Sequence, residues 1–359
     1  MPHRVLSTST KNGGQQDHIR YLVNHQSCEP SKHQERFDYM VGMGLEAYHD
    51  VVCAELGLDP AAVALMGTAA NMNNVAIVRK NYQQLAATAV VTAGVEANAT
   101  CAGDPAAWCE TEQGWKKLPA YAGTINTMLL VNHPLTEGAL ARAVITMAEA
   151  KSAALNRLAV RSRQSKDLAT GTGTDQFCVA ALLGGAKPLT STSTHVVLGE
   201  LIGSATREAM AEALRWQNGL EPSHTRSLFY ALRPYGIDEE SLWNEIAPLL
   251  SERNLELLKA NRNAVFYDPL VASSAYALAS VLDRFRYGVL PANAARAALC
   301  AQAATLGVQI SGQPQLWPSF HAGLATSESE QPVHLITKAI ALGWSAKWQL
   351  EEQTESSSS

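Results

Sequence analysis

Residues 124–158 read TINTMLLVNHPLTEGALARAVITMAEAKSAALNRL, a strand followed by a helix, and that pairing decides the fold. The strand candidate is Thr124–Asn132. From Thr136 to about Leu158 the text is an amphipathic helix, with Thr136 as its N-cap and Glu137 in the first turn, where the helix dipole favours a negative charge. A second strand candidate, Thr174–Leu183, and a second helix, about Thr194 to Gln217, follow. Upstream, Ala62–Ala69, Asn74–Lys80 and Gln84–Gly94 are strand-like runs, the last with Thr and Val clustered as in a buried strand. Strands interleaved with helices of this length predict an α/β or α+β domain, a layered mixed sheet with packed helices.

Outside this core the character changes twice. Phe37–Leu56 places Met40, Met43, Gly44, Ala47, Val51 and Leu56 near a helical stripe, so it reads as one packed helix ending before the Gly57–Pro60 turn. After Gly219 the segments Leu242–Leu258, Asp268–Tyr287 and Ala292–Leu306 read as helices punctuated by prolines. The expected organisation is a flexible segment at 1–30, an α/β domain at 31–220, a helical region at 221–348 packed on it, and a disordered tail at 349–359. Both ends are polar and too poor in apolar surface to offset the entropy of ordering them.

The 359 residues, 47% hydrophobic and 17% charged, suffice for a sizeable core. A net charge of -5 gives no electrostatic footprint for nucleic acid or an anionic membrane. Six cysteines without a CxxC pair suit neither a zinc knuckle nor a disulfide framework, so reduced thiols are expected. No secretory signal and no run of 18 apolar residues is present, which predicts a cytoplasmic protein, with a homo-oligomer open.

Several residues are candidates for chemistry. Ala169–Asp175, ATGTGTD, alternates small hydroxyl side chains with glycine and ends on a carboxylate as an apolar strand begins. Glycine admits a ligand close to the backbone, and Thr172 and Thr174 supply donors to an amide carbonyl. The same text is equally a Gly-rich turn with Asp175 as a local cap. It is not a phosphate loop, because GxxxxGK[ST] is absent. On the helix, Leu140, Val144, Met147, Leu155 and Leu158 form an apolar stripe, and Lys151 falls at its core-facing step. A buried lysine needs a partner; it either snorkels to solvent or points into a pocket, where it would hold a carboxylate or stabilise an oxyanion. Glu149 lies about 200° around the helix from Lys151. His195 shares the inward face of Leu198 and Ile202 at the start of the next helix, as a structural cap or a general base. Asn98, Thr124 and Asn126 are amide- or carbonyl-binding candidates that could equally close turns through their own backbone.

Taken together, Thr92–Pro105 (TAGVEANATCAGDP), Gly123–Leu155, Leu168–Ala180 (LATGTGTDQFCVA) and Thr194–Met210 (THVVLGELIGSATREAM) resemble, in order, the blocks of the adenosylcobinamide amidohydrolase family. The resemblance covers about 120 residues, with Ala64–Lys80 as looser support. It implies hydrolysis of the amide joining the aminopropanol arm to the corrin ring, releasing adenosylcobyric acid so that a salvaged corrinoid re-enters cobamide synthesis. The corrinoid would be substrate, and no cofactor is expected. On the matching positions, Asp175 or Glu149 would be the general base, Lys151 the electrostatic stabiliser and His195 the proton donor or orienter. Asn98, Thr124, Asn126, Thr172 and Thr174 would contact substrate. A nucleophilic Thr172 or Thr174 ranks second, because threonine needs a dedicated base. A metal at Asp175, Glu149 and His195 has no supporting ligand spacing, so none is expected. A smaller amide substrate, or a non-catalytic corrinoid or metabolite carrier, are the competing readings.

Overall fold

The computed structural model describes residues 2–28, 32–106, 108–112, 114–117, 124–326 and 331–356. The chain divides into two compact units, Met1–Leu220 and Glu221–Ser359. The first contains β1 (His3–Ser7), β2 (Gly14–Gln16), β3 (Tyr21–Gln26), α1 (His33–Met43), α2 (Leu45–Glu55), β4 (Val63–Thr68), β5 (Ala76–Tyr82) and β6 (Leu85–Ala93). It continues with β7 (Ala99–Thr100), β8 (Trp108–Thr111), β9 (Gly114–Lys117), β10 (Ile125–Val131), α3 (Glu137–Arg157), β11 (Gly171–Thr172), β12 (Gln176–Leu182) and α4 (Val197–Asn218).

Six strands form a mixed sheet in the order β2-β1-β12-β10-β6-β5. β10 and β12 are parallel, whereas β6 is antiparallel to β10. A parallel pair cannot be joined by a tight turn, and α3 is the crossover that lets the chain return. Alternation along the strands then sorts the core. Leu129, Val131, Val179 and Ala181 face Leu140, Ala143 and Met147 of α3 and Ile202 of α4. Met128, Cys178 and Ala180 face the other way, against Ala64 and Met66 of β4, which pairs in parallel with β3 as a second layer.

Most strand and helix expectations place the right element within a few residues, and Thr136 does cap α3, accepting from the Ala139 amide at 3.2 Å. Three in the first unit need correction. The first thirty residues are not a frayed end: β1 pairs with β12 from His3↔Leu182 to Ser7↔Cys178, and Val5 and Ile19 are buried. Polar composition misleads here because an added strand is held by its backbone and needs few inward side chains. The single helix expected over Phe37–Leu56 breaks at Gly44, whose φ of 88° and ψ of 141° are not helical. The second long helix starts at Val197, since residues 193–196 close a turn through Val196 N donating to Ser193 O at 3.1 Å.

Among its described residues the second unit contains helices and no strand: α5 (Pro222–Thr225), α6 (Leu228–Leu232), α7 (Glu239–Ile246), α8 (Glu252–Ala260), α9 (Arg262–Phe266), α10 (Pro269–Arg286), α11 (Ala292–Ser311), α12 (Trp317–Ala325) and α13 (Pro332–Ser356). Its own core includes Leu228, Leu232, Phe266, Leu278, Leu306, Ile336 and Trp344. The helix expected over Leu242–Leu258 splits around Pro248, which can open a turn but not continue α7. The expected tail at 349–359 continues α13 to Ser356, and 357–359 lie outside the described residues. Among the described residues, no helix is long and apolar enough to cross a membrane.

Candidate functional site

The parallel strands β10 and β12 begin side by side, with Asn126 opposite Gln176, so the residues just before them gather at one end of the sheet. Thr124 Oγ1 donates to the Thr174 carbonyl at 2.6 Å, and Thr174 Oγ1 donates to Thr124 Oγ1 at 2.7 Å. Asp175 has the parity of Val179 and Ala181, the strand residues that face α3. There it forms an ion pair with Lys151, each side chain only 19% exposed. The lysine set into the apolar stripe of α3 therefore has a partner, which removes the cost of an isolated buried charge.

The second oxygen of that carboxylate is also engaged. Asp175 Oδ1 accepts from the Thr172 amide at 3.0 Å, the Thr172 hydroxyl at 2.5 Å and the Ile125 amide at 3.3 Å. With four donors on two oxygens it is pinned in place and has little capacity left to take a proton from water. Lys151, in contrast, uses one of its three N–H donors on Asp175 and keeps two for a ligand.

Two glycines make this packing possible. A Cβ at Gly171 would fall on Asp175 Oδ2 and within 2.8 Å of Lys151 Nζ. At Gly173 it would lie 3.2 Å from Asn98 Oδ1, so Asn98 sits directly under the exposed turn. The loop is fixed at both sides: β11 pairs with β7, and Ser152 of α3 donates to the Thr170 carbonyl at 3.0 Å. Thr170 Oγ1 also accepts from the Ala102 amide at 2.9 Å. A Gly/Thr loop tied down this way presents rigid backbone groups, the preorganisation that polar recognition needs.

Asn126 is at the same end but turned inward. Its Nδ2 donates to Asn24 Oδ1 at 2.8 Å and to the Gly67 carbonyl at 3.0 Å, linking the sheet to the β3–β4 layer. Asn24 in turn donates to Thr92 Oγ1 at 2.9 Å. Asn126 is wholly buried, and its Oδ1 has no hydrogen-bond partner.

The structure thus brings Asn98, Thr124, Lys151, Thr172, Thr174 and Asp175 together, turns Asn126 away into the β3–β4 layer, and leaves Glu149 and His195 out. Glu149 is exposed on α3 beside a shallow depression shared with Ile145, Ser152 and Asn156, and it takes no part in the Lys151–Asp175 hydrogen bonds. Helical geometry puts it on another flank, as the 200° separation requires. His195 is not on the inward face of a helix. It is an exposed residue in the turn before α4, and it too is outside this network. Among the described residues, no group of three or more His, Cys, Asp or Glu side chains is placed to hold a metal ion. Gly123 lies outside the described residues.

The adenosylcobinamide amidohydrolase family model matches residues 1–222, which takes in the whole first unit. The chain belongs to the adenosylcobinamide amidohydrolase family. An uncharacterised protein of Methanocaldococcus jannaschii is 34% identical over 183 residues, covering 48% of this chain and 71% of that protein. The family match is wider than the four sequence blocks, and it includes the N-terminal strands. Amidohydrolase character follows for the first unit. The helical second unit begins where the match ends.

Sequence reading missed Asn24, Thr92, Ser152 and Thr170. Asn24 lies in the segment taken as flexible, so its contact with Asn126 had no signal. Ser152, by contrast, directly follows Lys151 and lies in the C-terminal part of α3, where a hydroxyl that reaches a neighbouring loop was available to be read.

Proposed function

We propose that this protein hydrolyses the amide between the aminopropanol arm and the corrin ring of adenosylcobinamide, giving adenosylcobyric acid in corrinoid salvage. The observation that carries this reading is a lysine ammonium oriented by a pinned carboxylate beside a rigid Gly/Thr loop, in a unit that the family model matches throughout. Amide hydrolysis builds negative charge on the carbonyl oxygen, and a preorganised cation is the group that lowers that barrier. Lys151 is the oxyanion stabiliser. Asp175 orients it. Asn98, Thr124, Thr172 and Thr174 line the approach, and Asn126 positions strand β10 from within. Water adds its oxygen to the carbonyl carbon to give a tetrahedral oxyanion, which collapses with cleavage of the C–N bond; one proton of that water leaves on the amine and the other is released as the carboxylic acid ionises. The corrinoid is substrate and not cofactor, the partner is a small molecule, and the setting is the cytoplasm.

One observation favours a second reading of the first step. The Thr172 hydroxyl donates to Asp175 at 2.5 Å, the arrangement needed for Thr172 to attack as its proton passes to the carboxylate. Incubation with adenosylcobinamide, followed by chromatography for aminopropanol, tests the function. Binding without release would leave a carrier, and neither would leave a different amide. A corrinoid adduct on the peptide carrying Thr172 after rapid quenching selects the second reading, and its absence with full turnover selects direct attack by water.

A further inference from the structure

The loop ATGTGTD holds two Gly–Thr peptide bonds, and the hydrogen bonds around them differ. Thr174 donates its hydroxyl proton to another alcohol, Thr124 Oγ1, at 2.7 Å. Thr172 donates its own to Asp175 Oδ1 at 2.5 Å, and the Thr172 backbone amide donates to the same oxygen at 3.0 Å. One carboxylate oxygen therefore touches both the Thr172 hydroxyl and the nitrogen of the bond that joins Thr172 to Gly171. Lys151 approaches from the other side: its ammonium pairs with Asp175 Oδ2, and a Cβ at Gly171 would sit 2.8 Å from Nζ.

These are the parts of an acyl shift within the chain. A threonine hydroxyl reaches the carbonyl carbon of the preceding residue through a small ring closed by its own Cβ, Cα and nitrogen. The bond in question is clamped on its N-terminal side, where Thr170 N donates to the Thr100 carbonyl at 2.9 Å and Ser152 Oγ donates to the Thr170 carbonyl at 3.0 Å. Thr172 itself is buried. A nucleophile and its target held together in this way need no encounter, which removes much of the entropic barrier. Glycine on the acyl side leaves the carbonyl open and lets the lysine come close.

We propose that the chain cleaves itself between Gly171 and Thr172. Thr172 Oγ1 adds to the Gly171 carbonyl carbon as its proton passes to Asp175 Oδ1, and the Lys151 ammonium beside Gly171 stabilises the oxyanion. The C–N bond then breaks, Asp175 gives the proton to the Thr172 nitrogen, and an ester joins Gly171 to Thr172 Oγ1. Water adds to that ester and expels Oγ1, one of its protons restoring the Thr172 hydroxyl and the other leaving as the Gly171 acid ionises. The products are a piece ending in a Gly171 carboxylate and a piece beginning at Thr172 with a free α-amine. β12 lies between β1 and β10, so both pieces stay in one sheet. The freed amine is the dedicated base that a threonine nucleophile needs, and it equips Thr172 for the second reading of the first step. Cleavage itself requires no corrinoid; only that use of the amine rests on the hydrolytic reading above.

The test is cell-free synthesis of the full chain, sampled into denaturant at intervals and read by mass spectrometry. The wild type is expected to convert into two fragments, one ending at Gly171 and one beginning at Thr172, at a rate independent of chain concentration. Thr172→Val, which keeps the shape and loses the hydroxyl, is expected to stay whole, and Thr172→Ser, which restores a hydroxyl, to cleave. Asp175→Asn is expected to cleave at least about 100-fold more slowly. A wild type that stays whole, cleavage at the Gly173–Thr174 bond instead, or cleavage of Thr172→Val at the wild-type rate would overturn the proposal. Turnover is read separately. A processed chain that releases no aminopropanol from adenosylcobinamide refutes the substrate reading and leaves the processing site standing. Turnover by a wild type that stays whole refutes processing and leaves the substrate reading.

Discussion

Gly171→Ala is the sharpest perturbation of the proposed centre, because it adds one methyl group and changes no charge. Gly171 does not have a positive φ, so alanine brings no backbone strain and the effect is purely one of space. That space is already filled: the new Cβ would fall on Asp175 Oδ2 and within 2.8 Å of Lys151 Nζ. The carboxylate cannot retreat without lengthening its bonds from Thr172 and Ile125. Overpacking of this kind costs about 1–3 kcal/mol of stability. A displacement near 1 Å at a reacting group lowers turnover on the order of 100-fold. Urea unfolding, compared with Gly173→Ala, and adenosylcobinamide turnover, compared with the wild type, form the assay. Gly173→Ala is the comparison for stability alone, because its nearest contacts are with the Asn98 side chain, at 3.2 Å, and not with the ion pair, so a smaller loss is expected. Wild-type stability and turnover in Gly171→Ala would refute the packing argument and the assignment of the ion pair to catalysis.

Lys151→Ala and Asp175→Asn are each expected to lower turnover at least about tenfold, or about 1.4 kcal/mol in barrier, with circular dichroism showing a folded chain; wild-type rates in both would sink the constellation. Burial pushes the Cys178 thiol up to about 12, so iodoacetamide at pH 8 should label exposed Cys109 in the native protein and leave Cys178 untouched until unfolding, as read by mass spectrometry. The Asp104 carboxyl feels an upward push from burial that hydrogen bonds from Ser162, Ser165 and the Cys101 amide outweigh, holding it below its ordinary value. Its contribution is complete above the unfolded value near 4 and is lost as pH falls through the lower folded value, so the melting-temperature gap between wild type and Asp104→Asn should narrow on acidification from about pH 5. A gap that widens instead would contradict that sign.

Much of this architecture is legible in sequence where periodicity and caps agree. The α3 helix is one case, since its stripe, its Thr136 cap and its Glu137 all point to the same start. Lys151 on that stripe announced a partner, and the Gly/Thr loop before Asp175 announced a tight approach. Which partner could not be read, because Lys151 and Asp175 are 24 residues apart and meet only through the crossover. Turn positions were harder. His195 resembles a helix residue by spacing, yet it sits in a turn because the Ser193 carbonyl packs against Gly199 and fixes the start of α4. The N-terminal strands were illegible for another reason: β1 and β3 are held by ladder hydrogen bonds to β12 and β4, a stabilisation that composition does not report.

The most direct measurement is turnover of adenosylcobinamide in oxygen-18 water, with both products analysed by mass spectrometry. Amide hydrolysis at the Lys151–Asp175 centre requires one labelled oxygen in the adenosylcobyric acid, an unlabelled aminopropanol in equal amount, and at least about tenfold slower formation of both with Lys151→Ala. Intact adenosylcobinamide, label in the aminopropanol, or full turnover by Lys151→Ala would contradict the account.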